Sequence, residues 1–180
     1  LTDWARKEVE PMLKEWYPKM VAQLPSQGYV APSKFTLVFD PQMRGVAATG
    51  GTGIRCSGEW ARQNMKGEAV GALFHEMVHV VQQYGRAPRG SARPPVWLTE
   101  GITDYLRWYI YEPKSRGAEI SRRGFANARY NASYRVTANF LNYVSEKYDT
   151  NLVVKLNAAI REGKYGEDTL KQFAAGRSIQ

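Results

Sequence analysis

Between residues 68 and 84 the apolar positions Val70, Leu73, Phe74, Met77, Val78 and Val81 recur at spacings of three and four. That period predicts a helix with one core-facing stripe. Gly67 and Gly85 suit its two ends. His75, His79 and Gln82 fall along another face, with Glu76 beside the histidines. Upstream, residues 3–24 predict a helix with Trp4, Val9, Leu13, Trp16, Tyr17 and Met20 roughly on one side, and with Pro11 and Pro18 as points of break or kink. Residues 34–40 alternate and are rich in β-formers, which predicts a strand. A glycine-rich connection over 41–53 leads to a second short strand, Gly53–Ser57.

Residues 86–95, dense in Arg, Gly and Pro and ending in Pro94-Pro95, read as a loop. A helix is predicted over 99–111, with Ile102, Leu106, Tyr109 and Ile110 at core spacing, then a polar and basic loop over 113–128. Further helices are predicted over 131–148, over 152–160 (capped by residues 149–151 and closed at Gly163), and over 167–175. No internal repeat or low-complexity segment interrupts the chain. Strands first and helices afterwards predict an α+β protein of one domain: a small N-terminal sheet packed on the helix of 68–84, and a mostly helical C-terminal half. Within it, 1–66 reads as a helix plus the sheet, 67–112 as the histidine-bearing helix and its successor, and 113–180 as a helical subregion.

Composition narrows this picture. A chain of 180 residues, 43% hydrophobic, can bury one core. No apolar run reaches the length of a membrane span. No signal peptide precedes Leu1-Thr2-Asp3-Trp4, which already reads as a helix start, so the chain reads as a processed or trimmed form. One cysteine, Cys56, excludes an internal disulfide. The net charge is +8, carried largely by Arg86, Arg89, Arg93, Arg116, Arg122, Arg123, Arg129 and Arg135. Such a balance suits acidic partners, although a solvated basic surface explains it as well. No RNP-like, zinc-finger or helix-turn-helix signature accompanies it, and nucleic acid is not expected as a partner.

The chemistry concentrates in His75-Glu76-Met77-Val78-His79, which holds both histidines of the chain. On a helix, residues four apart lie on one face about 6 Å apart along the axis, so two imidazoles can bind one Zn²⁺ while the glutamate reaches the metal-bound water as general base. A catalytic zinc takes three protein ligands, and with both histidines used the third must be a carboxylate or Cys56. Glu100 is the leading candidate: it opens the next predicted helix, and Asp104 follows one turn later on the same face, suited to accept the free ring N–H of a ligating histidine. Cys56, on a strand upstream, is the rival ligand, with a buried small hydrophobe as its plainer reading.

HEMVHVVQQYG, WLTEGITDYLRWY and YRVTANFLNYV resemble the basic secretory protein family of plant and bacterial metallopeptidases, members of the wider HExxH…E (gluzincin-like) zincins that include thermolysin. The resemblance runs from Phe35 to the end and is most specific over 73–144. It implies a zincin-like fold, one Zn²⁺ per chain held by His75, His79 and Glu100, Glu76 as general base and Asp104 in support. It implies a peptide or protein substrate and a secreted or periplasmic location; the chain reads as a monomer. Against the family pattern the loop between His79 and Trp97 is longer, and the family's usual aromatic-rich final segment does not follow Ser178, so the chain reads as truncated there. Thermolysin-like enzymes stabilise the oxyanion with a histidine and a tyrosine, and no histidine is left here. Tyr134, matching a family tyrosine, is the first choice, followed by Tyr105, Tyr130 and Arg135. By analogy with zincins, Gly53, Ile54, Arg55, Cys56 and Ser57 are expected to form the sheet edge to which substrate adds a strand. Two alternatives remain: a non-enzymatic basic binding protein on a zincin scaffold, and a zinc amidase acting on a non-protein or cell-wall amide.

Overall fold

In the computed structural model, residues 1–126, 128–166 and 168–173 are described. The protein is α+β, and two units are distinguished within the chain: residues 1–23 with 28–85, and residues 24–27 with 86–180.

The first unit opens with α1 (Thr2–Trp4), a π-helical turn (Ala5–Val9) and α2 (Glu10–Gln23). The wide turn closes with Glu10 N–H on the Ala5 carbonyl, directly before Pro11. Proline has no N–H to give and its ring crowds the carbonyl one turn back, so the helix accommodates Pro11 by widening instead of breaking. It runs on through Pro18, on its exposed side. Strands β1 (Thr36–Asp40), β2 (Ala47–Gly50) and β3 (Gly53–Ser57) form one sheet in the order β1-β3-β2, with β1 parallel and β2 antiparallel to β3. Strand β2 lies inside the stretch expected to be a plain connection. Its Ala-Ala-Thr-Gly sequence has little β-propensity. It is made a strand by a two-residue turn, Gly51-Thr52, with φ of 58° at Gly51, as the first central position of a type II′ hairpin requires. Along β3, Ile54 and Cys56 are fully buried while Arg55 points outward and pairs with Asp40. A short helix the sequence reading did not anticipate, α3 (Gly58–Asn64), follows. Ser57 Oγ caps it, accepting from Trp60 N–H at 3.2 Å.

Helix α4 (Ala69–Gln82) packs against α2, β2 and β3, with Phe74 edge-on to Trp16 at 5.7 Å. It stops three residues before Gly85. Its C-cap is Gln83, a non-glycine residue in the left-handed region with φ of 47°. That conformation is offset by its buried side chain, whose Nε2 donates to Val80 O at 2.8 Å and to Gly51 O at 2.9 Å.

The second unit begins, after a 3₁₀ turn at Tyr84–Arg86, with α5 (Val96–Tyr105) and a π-helical turn (Leu106–Tyr111). The helix starts at Val96, three residues earlier than expected, with Pro95 as its N-cap in an extended conformation. Then come α6 (Arg122–Ala126), inside the expected loop, α7 (Tyr134–Lys147), α8 (Leu152–Arg161) and α9 (Thr169–Phe173). The outer ends of the helix predicted over 167–175 lie outside the described residues. Residues 24–27 join this unit because buried Arg161 donates through Nη1 to Leu24 O at 2.7 Å and Ser26 Oγ at 2.9 Å, and Asn157 Nδ2 donates to Pro25 O at 2.9 Å. Among the described residues no helix is long and apolar enough to cross a membrane.

The most extensive helix contact in this unit, among the described residues, is α5 on α7. At Gly101 a Cβ would fall 2.1 Å from Thr137 Cγ2. Thr137 cannot yield, since its hydroxyl is fixed by donation to Tyr130 O at 2.8 Å or Ser133 O at 3.1 Å. Gly101→Ala is therefore expected to cost about 1–3 kcal/mol through overpacking and to lower Tm by several degrees in calorimetry. An unchanged Tm would refute this close approach.

Candidate metal centre

Helix α4 is buried almost all round. Its residues are buried except Val70, His75 and His79. A helix of this kind owes its stability to apolar packing, and the two histidines occupy the one line it leaves partly open. The imidazoles approach edge to face, with Nε2 of His75 and Nε2 of His79 3.2 Å apart. Two nitrogens each about 2.0–2.1 Å from a tetrahedral ion stand about 3.3 Å from one another. The rings are thus already spaced as ligands of one ion. Gln82, 1% exposed, fixes the His79 tautomer: its Oε1 can only accept, so Nδ1 carries the proton at 2.7 Å and Nε2 keeps its lone pair. Gln82 was legible as sharing the histidine face; its role was not.

Glu76 is 8% exposed. Thr49 on β2 holds its carboxylate: Thr49 Oγ1 lies 2.6 Å from Glu76 Oε2 and 3.0 Å from Glu76 O, one hydroxyl proton shared between them. The sequence reading missed Thr49, because a contact across 27 residues leaves no local signal.

One donor atom each from His75, His79 and Glu100 lies within 4.8 Å of the others, an arrangement compatible with binding a metal. Among the described residues Cys56 does not join this group. It is fully buried, and burial together with the charge of Glu76 pushes its thiol up to about 11. The plainer reading of Cys56 as a buried small hydrophobe fits these surroundings.

Glu100 lies in the second turn of α5, and no acid occupies the first, so the carboxylate is not there to meet the helix dipole. Asp104, buried, follows one turn on. The missing Cβ of Gly101 lets α7 approach, and Tyr134 at the start of α7 comes close enough to feel both acids. The charge of Glu100 first, then burial, then Asp104 push its phenol above the usual tyrosine range. The other tyrosines considered are packed aromatics. Tyr105 stacks on Tyr109 at 5.8 Å, and Tyr130 sits against Trp97 at 5.1 Å and Phe140 at 5.5 Å. The Arg135 guanidinium lies over the Trp108 ring.

One expectation is corrected. Gly53–Ser57 is not a sheet edge: β3 is the central strand, paired on one side with β1 and on the other with β2, and Ile54 and Cys56 are fully buried. The error follows from overlooking β2, which takes the outer position beside α4.

A family model described as a peptidase of plants and bacteria, BSP, matches residues 7–180. The chain belongs to this family. The match extends over nearly the whole chain, as the three motifs implied, and makes the protein a peptidase acting on peptides or proteins. No curated protein and no solved structure matches the chain significantly.

In this BSP-family peptidase the Thr49 hydroxyl is expected to matter through the orientation it gives Glu76. Thr49→Val should lower kcat by about tenfold or more with KM little changed, and Thr49→Ser should restore it. Equal kcat for wild type and Thr49→Val would remove Thr49 from the site.

Proposed function

We propose that the chain is a zinc-dependent metallopeptidase in which His75, His79 and Glu100 hold the ion and Glu76 is the general base. The observation that carries this reading is the convergence of two imidazole nitrogens and a carboxylate within 4.8 Å, beside a buried glutamate that is not one of them. A purely structural ion has no use for that fourth group. Two imidazoles and one carboxylate, with a tetrahedral spacing between the nitrogens, suit zinc better than the oxygen-seeking cations. When bound, zinc supplies Lewis-acid polarisation and acidifies a water ligand.

The remaining chemistry falls to side chains. Glu76 Oε2 is occupied by Thr49, which leaves Oε1 to take a proton from the attacking water and pass it to the leaving amine. Tyr134, held protonated beside Glu100, donates to the oxyanion as it forms. Gln82 keeps the His79 lone pair on Nε2, and Asp104 supports the ligand set. The outer edge of β2, which among the described residues pairs with β3 alone, is the place where an extended substrate would add a strand. We read the enzyme as secreted or periplasmic and monomeric, on family grounds and composition alone.

The test is metal content set beside turnover. Zinc should be near one per chain in the wild type and in Glu76→Gln, which loses hydrolysis, and should fall in His79→Ala and Glu100→Ala. Tyr134→Phe should keep the metal and lower kcat by about 10²-fold. Full metal and full activity in Glu100→Ala would refute the ligand set.

A further inference from the structure

The positive charge of this chain is not spread evenly. Residues 1–23 and 28–85 carry nine Lys and Arg against eight Asp and Glu, whereas residues 24–27 and 86–180 carry 16 against nine. Within the second unit the surface carboxylates are largely engaged: Glu112 with Arg107, Glu119 with Arg116, Asp149 with Lys155 and Glu162 with Lys164. Glu100 and Asp104 belong to the site. By contrast Arg86, Arg89, Arg93, Arg122, Arg123 and Arg129 are all exposed and have no carboxylate partner among the described residues.

These arginines fall in two stretches, one leading into α5 and one leading into α7. The stretches end at the same place, since Trp97 in the first turn of α5 packs edge-on against Tyr130, the residue after Arg129. Turns within their described residues are held by hydrogen bonds. Ser91 N–H donates to Pro88 O at 3.1 Å, and the Ser91–Pro88 turn lies against Gly163, where φ is 72° and a Cβ would fall 2.1 Å from Ser91 Oγ. Ser121 Oγ accepts from Gly124 N–H at 3.1 Å at the start of α6. Each guanidinium offers a planar fork of donors matched to a carboxylate, and on ordered loops less freedom is lost when it engages.

We propose that these six arginines form a binding surface for a carboxylate-rich stretch of the polypeptide substrate, so that the enzyme prefers proteins with acidic segments near the cleaved bond. The inference rests on the peptidase reading for its choice of polypeptide over other polyanions. A single exposed ion pair contributes little. Several cations on the two stretches that lead into the helices carrying Glu100 and Tyr134 sum their fields, and that sum is what a carboxylate-rich segment would meet.

The experiment uses two quenched fluorescent peptides with the same cleaved core, one extended by an oligoglutamate tail and one by an oligoserine tail. They are compared on the full chain and on Arg86→Ser/Arg89→Ser/Arg93→Ser and Arg122→Ser/Arg123→Ser/Arg129→Ser. At about 50 mM NaCl the glutamate-tailed peptide is expected to show about tenfold higher kcat/KM, mainly through KM, falling to parity near about 500 mM. Each triple variant should lose most of that advantage and cleave the serine-tailed peptide at the wild-type rate. Equal kcat/KM for the two peptides at low salt, or an advantage retained in both variants, overturns the proposal. If zinc-loaded protein cleaves neither peptide, the peptidase mechanism fails and anisotropy of the labelled glutamate-tailed peptide decides the surface separately. Binding lost in the variants upholds it; no binding, or tighter binding of a single-stranded DNA of matched charge, refutes it.

Discussion

Burial of α4 on every side but one is the constraint on which the first unit depends. Apolar residues at its core positions meet α2 on one side and the sheet on another, and the small residues Gly71 and Ala72 are buried with them. Turning this helix by one position would bury an imidazole and expose Leu73 or Phe74, at a cost of about 1.5–3 kcal/mol for each large apolar side chain. The core therefore fixes the direction of the histidine pair. Once that direction is set, the nitrogens converge because the residues are four apart, and Glu76, one position from His75, is left partly under the sheet where Thr49 reaches it. The packing and the chemistry are set by the same rotation of one helix.

The second unit contributes its part through a different device. Glu100 is followed immediately by a glycine, and the absent Cβ lets α7 come against α5 at Thr137. That approach sets the phenol of Tyr134 in the field of Glu100 and Asp104. In both units a helix brings the reactive group, and a contact with another element sets its surroundings: a strand hydroxyl for the base, a helix start for the phenol. The buried polar groups Gln82 and Gln83 in the first unit, and Thr137 and Arg161 in the second, are each tied to a partner, as burial demands.

Much of this was written in local sequence. The period of α4 and the phase of His75, His79 and Gln82 are short-range properties, and so is the phase of Glu100 with Asp104. The family motifs cover the same residues. What could not be read depends on distant partners or on unusual backbone. Strand β2 has a sequence that suits a loop and becomes a strand only because β3 pairs with it, and overlooking it turned a central strand into an expected edge. Helix α4 ends on Gln83 in a left-handed conformation, whereas Gly85 looked like the stop, because the side chain of Gln83 repays the strain through bonds to Val80 and Gly51. Pro11 was expected to break or kink the first helix, and a π-helical turn absorbs it instead. Thr49 was invisible for the same reason as β2.

The central claim is that two imidazoles and the Glu100 carboxylate form one metal site. X-ray absorption at the zinc edge of the zinc-loaded protein tests it most directly. The account predicts a first shell of nitrogen and oxygen only, at about 2.0–2.1 Å, with outer-shell scattering from two imidazole rings. A sulfur shell at about 2.3 Å, which would implicate Cys56, or scattering from fewer than two imidazoles would contradict it.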